Sequence, residues 1–416
     1  MPEITSIKDR LVFNSRGDKT IEIDVISDNQ YIGRACAPSG ASVGMYEAQS
    51  FINNDPVVTL SSFRKIKNKF IGLDSSNLQD LHNAIKEVDN TDNYSKIGGS
   101  VAYALTIASM DSASKSMAFP FYKVLNPKLN SPLFPYPLGN ILGGGAHAGP
   151  GTPDLQEFLI TPLVSKSIEE AISLNSKIHK EIKKSIEKID NKFTYGKGDE
   201  GGWAPNIIND EALELVEKAI IQCGYDPKRE IRIGIDFASS SLWDDKKEIY
   251  VYSREGITRT PEEQLEYADR LIKDYHLIYA EDPLHEEDFD NMAILTKAHS
   301  NCLITGDDLL VTNKNRVKIA TSKQACSGAI LKVNQAGTLY DAIEFADECS
   351  SNDIKLITSH RSGESVDNHI SHIAIATSSV MIKTGVVGGE RISKLNELLR
   401  ISEYGLIEGM AKWSNV

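Results

Sequence analysis

Residues 328–360 read GAILKVNQAGTLYDAIEFADECSSNDIKLITSH. A short apolar strand ends in Lys332, the amphipathic stretch TLYDAIEFADECSSND follows, and a second apolar strand ends in His360. Strand, helix-length connection and strand make a βα unit, not a hairpin. Outward from this stretch the unit recurs: IRIGID ends in Asp236, LIYAEDP carries Glu281, CLITGDD carries Asp307 and VMIKTG carries Lys383. From Glu281 to Lys383 the strand-end residues are about 23–28 residues apart, one βα unit each. PEEQLEYADRLIKDYH (261–276) supplies another amphipathic connection. Six such strands, with more apolar material upstream, predict an α/β fold whose C-terminal part is a (β/α)8 TIM-like barrel. Such barrels place their chemistry at the C-terminal strand ends.

The first ~125 residues have a different texture. ITSIKDRLVF, KTIEIDVISD and YIGRACAP alternate apolar and polar positions and are separated by NSRGD and SDNQ. This predicts a three-stranded antiparallel meander. Helical periodicity covers 57–70, 77–89 and 98–117, where SVAYALTIASMDSASKS reads as a small-residue packing helix. The Gly-containing segment 38–50, PSGASVGMYEAQS, is expected to be irregular. The Pro-rich passage NPKLNSPLFPYPLGN (126–140) reads as a boundary. The expected organisation is an N-terminal α+β domain over 1–125 and a catalytic barrel over 126–416.

Composition narrows the function classes. The chain has 416 residues, with 45 Lys plus Arg against 58 Asp plus Glu, a formal charge of −13. That field disfavours nucleic acid and anionic membranes as partners. Cys36, Cys223, Cys302, Cys326 and Cys349 are dispersed, with no Cys-x-x-Cys pair, which gives no zinc or disulfide framework and fits a reducing compartment. No signal core and no run of ~20 apolar residues is present, so a cytoplasmic protein without a transmembrane segment is expected.

Asp236, Glu281 and Asp307 end three predicted strands and so converge at one barrel mouth. Three hard oxygen ligands suit Mg²⁺, which keeps some of its waters. The next strands end in Lys332, then in His360, Arg361 and Ser362, then in Lys383. A lysine inside an apolar strand is costly unless it is paired or functional. Together these groups describe a site for an anion plus a metal. Two Gly-rich loops, ILGGGAHAGPG (141–151) and GKGDEGGWAPN (196–206), match neither the phosphate-loop nor the dinucleotide fingerprint. Glu200 and Glu157, beside Gln156, are candidate acid–base groups, while His147 taken alone is an ordinary packed or solvent histidine.

The strings SGASVGMYEA, GGGAHAG, QEF, GDEGGWAPN, IGIDFASS, AEDP, GDDLLVTN, LKVNQAGT, SHRSGES, IKTG and ERISKLNELLRI follow one another in the order found in enolases. The chain resembles that family, the phosphopyruvate hydratases, over nearly its whole length. The resemblance implies reversible dehydration of 2-phosphoglycerate to phosphoenolpyruvate with two Mg²⁺ per active site. By motif position, Asp236, Glu281 and Asp307 match the ligands of the first Mg²⁺, and Ser42 the mobile-loop residue on the second. Lys332 matches the base at C2, Glu200 the acid that helps the 3-hydroxyl leave, and Glu157 its partner. Lys383 and His360 match substrate contacts, Arg361 and Ser362 phosphate contacts, and His147 the histidine of a closing loop. Glu157, His147, Glu281 and Asp307 are also expected to face substrate. A lysine base needs its pKa brought from ~10.4 to ~7–8, a shift that neighbouring cations favour. The resemblance also implies a homodimer with Arg10–Glu403 and Glu22–Arg400 contacts, open to higher assembly of dimers.

NSRGDKT, ASSSL and GVVGGERIS depart from the family pattern but avoid each assigned acid, base and ligand, which points to subunit contacts and loop dynamics. Two other readings exist. An acid-sugar dehydratase or racemase is disfavoured by SHRSG and SGAS, and an idle binding paralogue by the retained Lys332, Glu200 and three acids.

Overall fold

The computed structural model describes residues 1–40, 46–407 and 409–412. Strands β1 (Ile4–Phe13), β2 (Lys19–Ser27) and β3 (Tyr31–Cys36) form the expected antiparallel meander, with β2 in the centre. Its core side buries Ile4, Ile21, Ile23, Val25 and Ala35. The helix Gly99–Met117 lies across it, its buried Ala102, Ala104, Ala108 and Ser112 letting the backbones approach closely. At Gly33 the approach is so tight that a Cβ would stand 2.0 Å from the Ala108 carbonyl oxygen. No side chain fits there. Two further helices, Pro56–Ile66 and Leu78–Val88, fall where the periodicity placed them. Asp55 caps the first, accepting from Val57 and Val58, with Pro56 in the first turn.

Strands β4 (Tyr136–Gly143), β5 (Glu157–Pro162) and β6 (Ile231–Asp236) begin the barrel. A small antiparallel sheet follows, made of β7 (Trp243–Asp244), β8 (Ile249–Tyr252) and β9 (Ile257–Arg259). The barrel continues with β10 (Tyr279–Glu281), β11 (Leu303–Gly306), β12 (Gly328–Leu331), β13 (Lys355–Ser359) and β14 (Met381–Lys383), which closes on β4. Every residue of β4, β5 and β6 is buried, as strands covered on both faces must be. Leu138, Leu159, Tyr279, Leu303, Ile330, Ile357 and Met381 fill one core cluster. The amphipathic connections fold as helices Pro261–Asp274 and Leu339–Ser351. Thr260 and Glu263 form a reciprocal capping box on the first, and Thr338 caps the second.

The barrel departs from eight identical βα units in one respect. β5 runs antiparallel to both β4 and β6, while the other neighbouring pairs are parallel. The β4–β5 connection, 144–156, holds only the single turn Gly145–Ala148, too little to carry the chain back for a parallel return. β5 therefore presents its first residue at the mouth, where its neighbours present their last.

Within one chain, Arg10 bonds both Glu22 and Asp24, and Arg400 donates to Glu397 at 2.8 Å. All five cysteines are free. No helix of the described residues is long and apolar enough to cross a membrane.

Candidate active site

Asp236 and Glu281 end β6 and β10 in register with each other, and Glu157 begins β5 opposite Asp236. Asp307, Lys332 and His360 each follow directly on β11, β12 and β13, and Lys383 ends β14. The mouth encloses a cavity of about 240 Å³ lined by Glu157, Asp236, Asp307, Lys332, His360, Arg361, Ser362 and Lys383, with His147 and Glu200 from the two Gly-rich loops. Those loops touch: Asp199 N donates to His147 O at 2.9 Å, and a Cβ on Gly198 would lie 2.6 Å from that oxygen. Glu281 is fully buried behind the wall. Ser42 lies outside the described residues.

Lys383, 3% exposed, ties the acids together. Its ammonium donates to Asp236 at 2.9 Å and Glu281 at 2.7 Å and stands 3.3 Å from Glu157. Burial opposes the charge, but the three carboxylates outweigh it and hold the lysine well above its ordinary pKa. Glu281 also accepts from the Tyr279 hydroxyl at 2.5 Å, and its Oε1 is buried with no hydrogen-bond partner among the described residues.

Lys332 is bonded to Asp307, whose other oxygen accepts from Gln335 at 3.1 Å. Burial pulls the Lys332 amine down and Asp307 pulls it up. The net direction is up, despite Arg361 and Lys383 nearby. The drop toward ~7–8 expected of a base is therefore not produced by the described side chains. The cations expected to lower the amine are outweighed by a carboxylate in direct contact with it. Burial would raise Asp307 in turn, but Lys332 holds it below its ordinary value.

Across the cavity, ligating atoms of His147, Glu157 and Glu200 all lie within 4.8 Å of one another. Burial and then the neighbouring Glu200 push Glu157 up to about 7. Burial lowers His147, but Glu200 and Glu157 raise it to about 9. Burial likewise acts to raise Glu200, yet the imidazoles of His360 and His147 hold it well below the usual range. Of those two rings only His147 is charged near neutral pH, since burial takes His360 down to about 4. Within the pair, burial and Glu200 thus hold Glu157 up while the imidazoles hold Glu200 down.

Arg361 donates to Glu47 at 3.2 Å and to Asn334 at 3.2 Å. Beside it, Ser362 Oγ is buried without a partner among the described residues. On the acid wall, Asp282 accepts from the backbone of Asp307 and Asp308, and oxygens of the three acids lie within 4.8 Å of one another. Burial and Asp307 raise Asp308 to about 7. Crowded oxygen donors of this kind, together with the orphaned Glu281 oxygen, fit a hard divalent cation that would relieve their repulsion.

Several residues at this site carry no signal of their role in the sequence. Asp282 and Asp308 sit inside AEDP and GDDLL but read as ordinary turn acids. Glu47, Asn334 and Arg391 carried no local signal, because only the tertiary fold puts them beside His360 and Arg361. Two departures also reach the rim. Ser241 of ASSSL lines the cavity, and Asn14 of NSRGDKT donates to Ser39 Oγ at 2.9 Å, next to the Ser39–Gly363 bridge.

The family model described as "Enolase, N-terminal domain" matches residues 4–125, and "Enolase, C-terminal TIM barrel domain" matches 131–412. The chain is 44% identical to the enolase of Methanosphaera stadtmanae, over 98% of this chain and 99% of the relative. It is 41% identical to that of Methanothermobacter thermautotrophicus, over 96% of each. Against the enolase of Haloarcula marismortui the identity is 39%, over 97% of this chain and 99% of the relative.

Proposed function

The chain belongs to the enolase family and is a hydro-lyase of 2-phosphoglycerate; we propose that its barrel mouth works with Lys332 as base and Glu200 as acid. The observation that carries this division is the spacing of charge around one cavity. Lys332 stands on Asp307 at one wall, the His147–Glu157–Glu200 set occupies another, and Lys383 holds Asp236 and Glu281 between them.

In this reading Lys332 removes the proton at C2 of 2-phosphoglycerate. Lys383 faces the substrate carboxylate, where an enediolate develops charge, and a fixed cation there is stronger than water would be. The 3-hydroxyl leaves as water on a proton passed through the Glu157–Glu200 pair, because hydroxide itself is a poor leaving group. His147, charged beside that pair, and His360, neutral beside Glu200, bound this side of the cavity. Arg361 and the Ser362 hydroxyl, which has no partner among the described residues, receive the phosphate.

Asp236, Glu281 and Asp307 would hold one Mg²⁺, and Ser42 would reach a second. Bound there, the metal would supply positive charge that stabilises an enediolate. Lys332 would give up its proton more readily once Asp307 serves as a ligand, because that carboxylate is what holds the amine charged. We further assign an N-terminal domain over 1–125, a catalytic barrel over 126–416, a cytoplasmic location and a homodimer, with any higher oligomer built from such dimers.

The test follows phosphoenolpyruvate absorbance from 2-phosphoglycerate with Mg²⁺ and then with excess chelator. Turnover should appear with metal and vanish on chelation. Lys332→Ala should abolish solvent exchange at C2, whereas Glu200→Gln should retain exchange while dehydration collapses. Equal loss of exchange in both variants would sink the separation of roles.

A further inference from the structure

Arg391 lies in the first turn of the helix Gly389–Glu403, and its side chain is fully buried. It does not line the cavity. Its guanidinium donates to Arg361 O at 2.5 Å, Ser362 O at 2.7 Å and Asp199 O at 2.9 Å. The same group also stands 2.9 Å from His360 Nδ1. One buried cation thus ties the loop that carries Glu200 to the loop that carries His360, Arg361 and Ser362. The chain after β14 is pressed into this junction, since a Cβ on Gly385 would lie 2.6 Å from Glu200 O and 3.3 Å from Arg391 Cγ.

The contact to His360 has a chemical consequence. A guanidinium carries donors only and keeps its proton. The His360 nitrogen facing it must therefore be a bare acceptor. The ring is neutral near neutral pH, so its single proton sits on Nε2, which stands 2.9 Å from Glu200 Oε2. The other tautomer would set donor against donor at Arg391 and lone pair against carboxylate at Glu200. Both contacts would fail together.

We propose that Arg391 is a positioning residue that fixes His360 as an Nε2–H donor and so orients the Glu200 carboxyl for proton transfer to the leaving hydroxyl. This rests on the role given to Glu200 above. Arg391 touches no substrate. It acts through His360, as hydrogen-bond partners behind a functional imidazole do elsewhere.

The test reads the tautomer directly and needs no turnover. The ¹⁵N imidazole spectrum of the full chain is recorded without substrate, with His360 assigned by the signal lost in His360→Gln. Wild type should show a protonated Nε2 and a bare Nδ1. Arg391→Met should turn this into a mixture of tautomers. It should lower dehydration by about 10–100-fold, with C2 proton exchange held within about twofold. Arg391→Lys, which keeps a cationic donor, should recover part of both the tautomer and the rate. A wild-type proton on Nδ1 would overturn the proposal, and this result is readable even where Arg391→Met does not fold. A folded Arg391→Met with an unmixed Nε2–H tautomer would also overturn it. So would loss of exchange and dehydration by one common factor, which marks a merely structural arginine. A mixed tautomer with exchange and dehydration both still at wild-type rates would support the positioning of His360 and count instead against Glu200 as the acid.

Discussion

Replacing Lys383 by Met removes the one ammonium shared by Asp236, Glu281 and Glu157 while keeping most of the side chain's volume. Contacts of 2.9, 2.7 and 3.3 Å are lost at a site 3% exposed. At an effective dielectric of ~20, each attraction at ~3 Å is worth roughly 5–6 kcal/mol before desolvation of the lysine is subtracted. The full sum is never lost, because the acids have a cheaper response. One further carboxylate takes up a proton, beyond the one that Glu157 already binds near pH 7. Keeping a carboxyl of ordinary pKa ~3.9 protonated at pH 7 costs about 1.36 kcal/mol per unit, or ~4 kcal/mol. This agrees with the ~3–5 kcal/mol found when one partner of a buried pair is removed. With ~2.1 cal/mol/K per residue of unfolding entropy over 416 residues, the Tm should fall by roughly 5 °C.

The stability of the variant should also depend on pH. In the variant a folded-state carboxyl pKa lies above its unfolded value, so the folded chain binds the extra proton and stability falls as pH rises. The deficit should be only ~1.5 kcal/mol at pH 5 and grow by ~1.4 kcal/mol per unit toward pH 7. Urea titrations of wild type and variant from pH 5 to 8, with chelator and then with Mg²⁺, measure it. Mg²⁺ should restore more stability to the variant than it adds to wild type, since both cations answer the same acids. A deficit independent of pH, or none, would show that the acids left without Lys383 are not answered by protonation.

At Gly33, substitution by Ala should destabilise the N-terminal meander by more than ~4 kcal/mol, because the new Cβ meets the backbone of a packed helix 2.0 Å away; a urea midpoint near wild type would contradict that. Asp24 is held down to about 2 against the upward pull of burial by Arg10 and Arg34. Its stabilisation is therefore complete above the ordinary carboxyl pKa of 3.8 and is lost as pH falls through about 2, so Asp24→Asn should flatten the acid limb of a Tm–pH curve; an unchanged limb would assign it to other carboxylates. Glu22→Arg should weaken the proposed dimer and adding Arg400→Glu should partly restore it, each exposed pair contributing only ~0–1 kcal/mol; sedimentation of wild type as a 45.8 kDa monomer at micromolar concentration would refute the dimer.

The strand ends were legible because each apolar run in the C-terminal half stops at a residue that has no place in a core. Glu281, Asp307, Lys332, His360 and Lys383 are visible on that ground alone, and the structure sets them around one mouth. Strand direction was not legible. EFLITP is buried at every position, and such a run reads the same in either direction. The charge state of Lys332 was hidden for another reason: its partner Asp307 lies 25 residues away, and the sign of the shift depends on which neighbour is nearest. Arg391 shows the same limit. In GERISKLNE it looks like any first-turn arginine, and only the fold brings Asp199 and His360 to its guanidinium. The 243–259 sheet was missed because its strands are two to four residues long and half-buried, too short for a period to emerge.

The reversed strand β5 has a consequence for how the mouth can be altered. Most loops at that end leave a strand and descend into a helix, so a length change in one of them shifts a single catalytic group and is absorbed below. The segment 144–156 is different, because β4 delivers it to the mouth and β5 collects it there. It is a span anchored at both ends over the cavity, with His147 near one foot and Glu157 at the other. An insertion or deletion within it would move the imidazole against the carboxylate it holds at 3.1 Å, with no helix to take up the slack. For loop grafting or directed evolution, this is the one connection whose length should be kept while its sequence is varied.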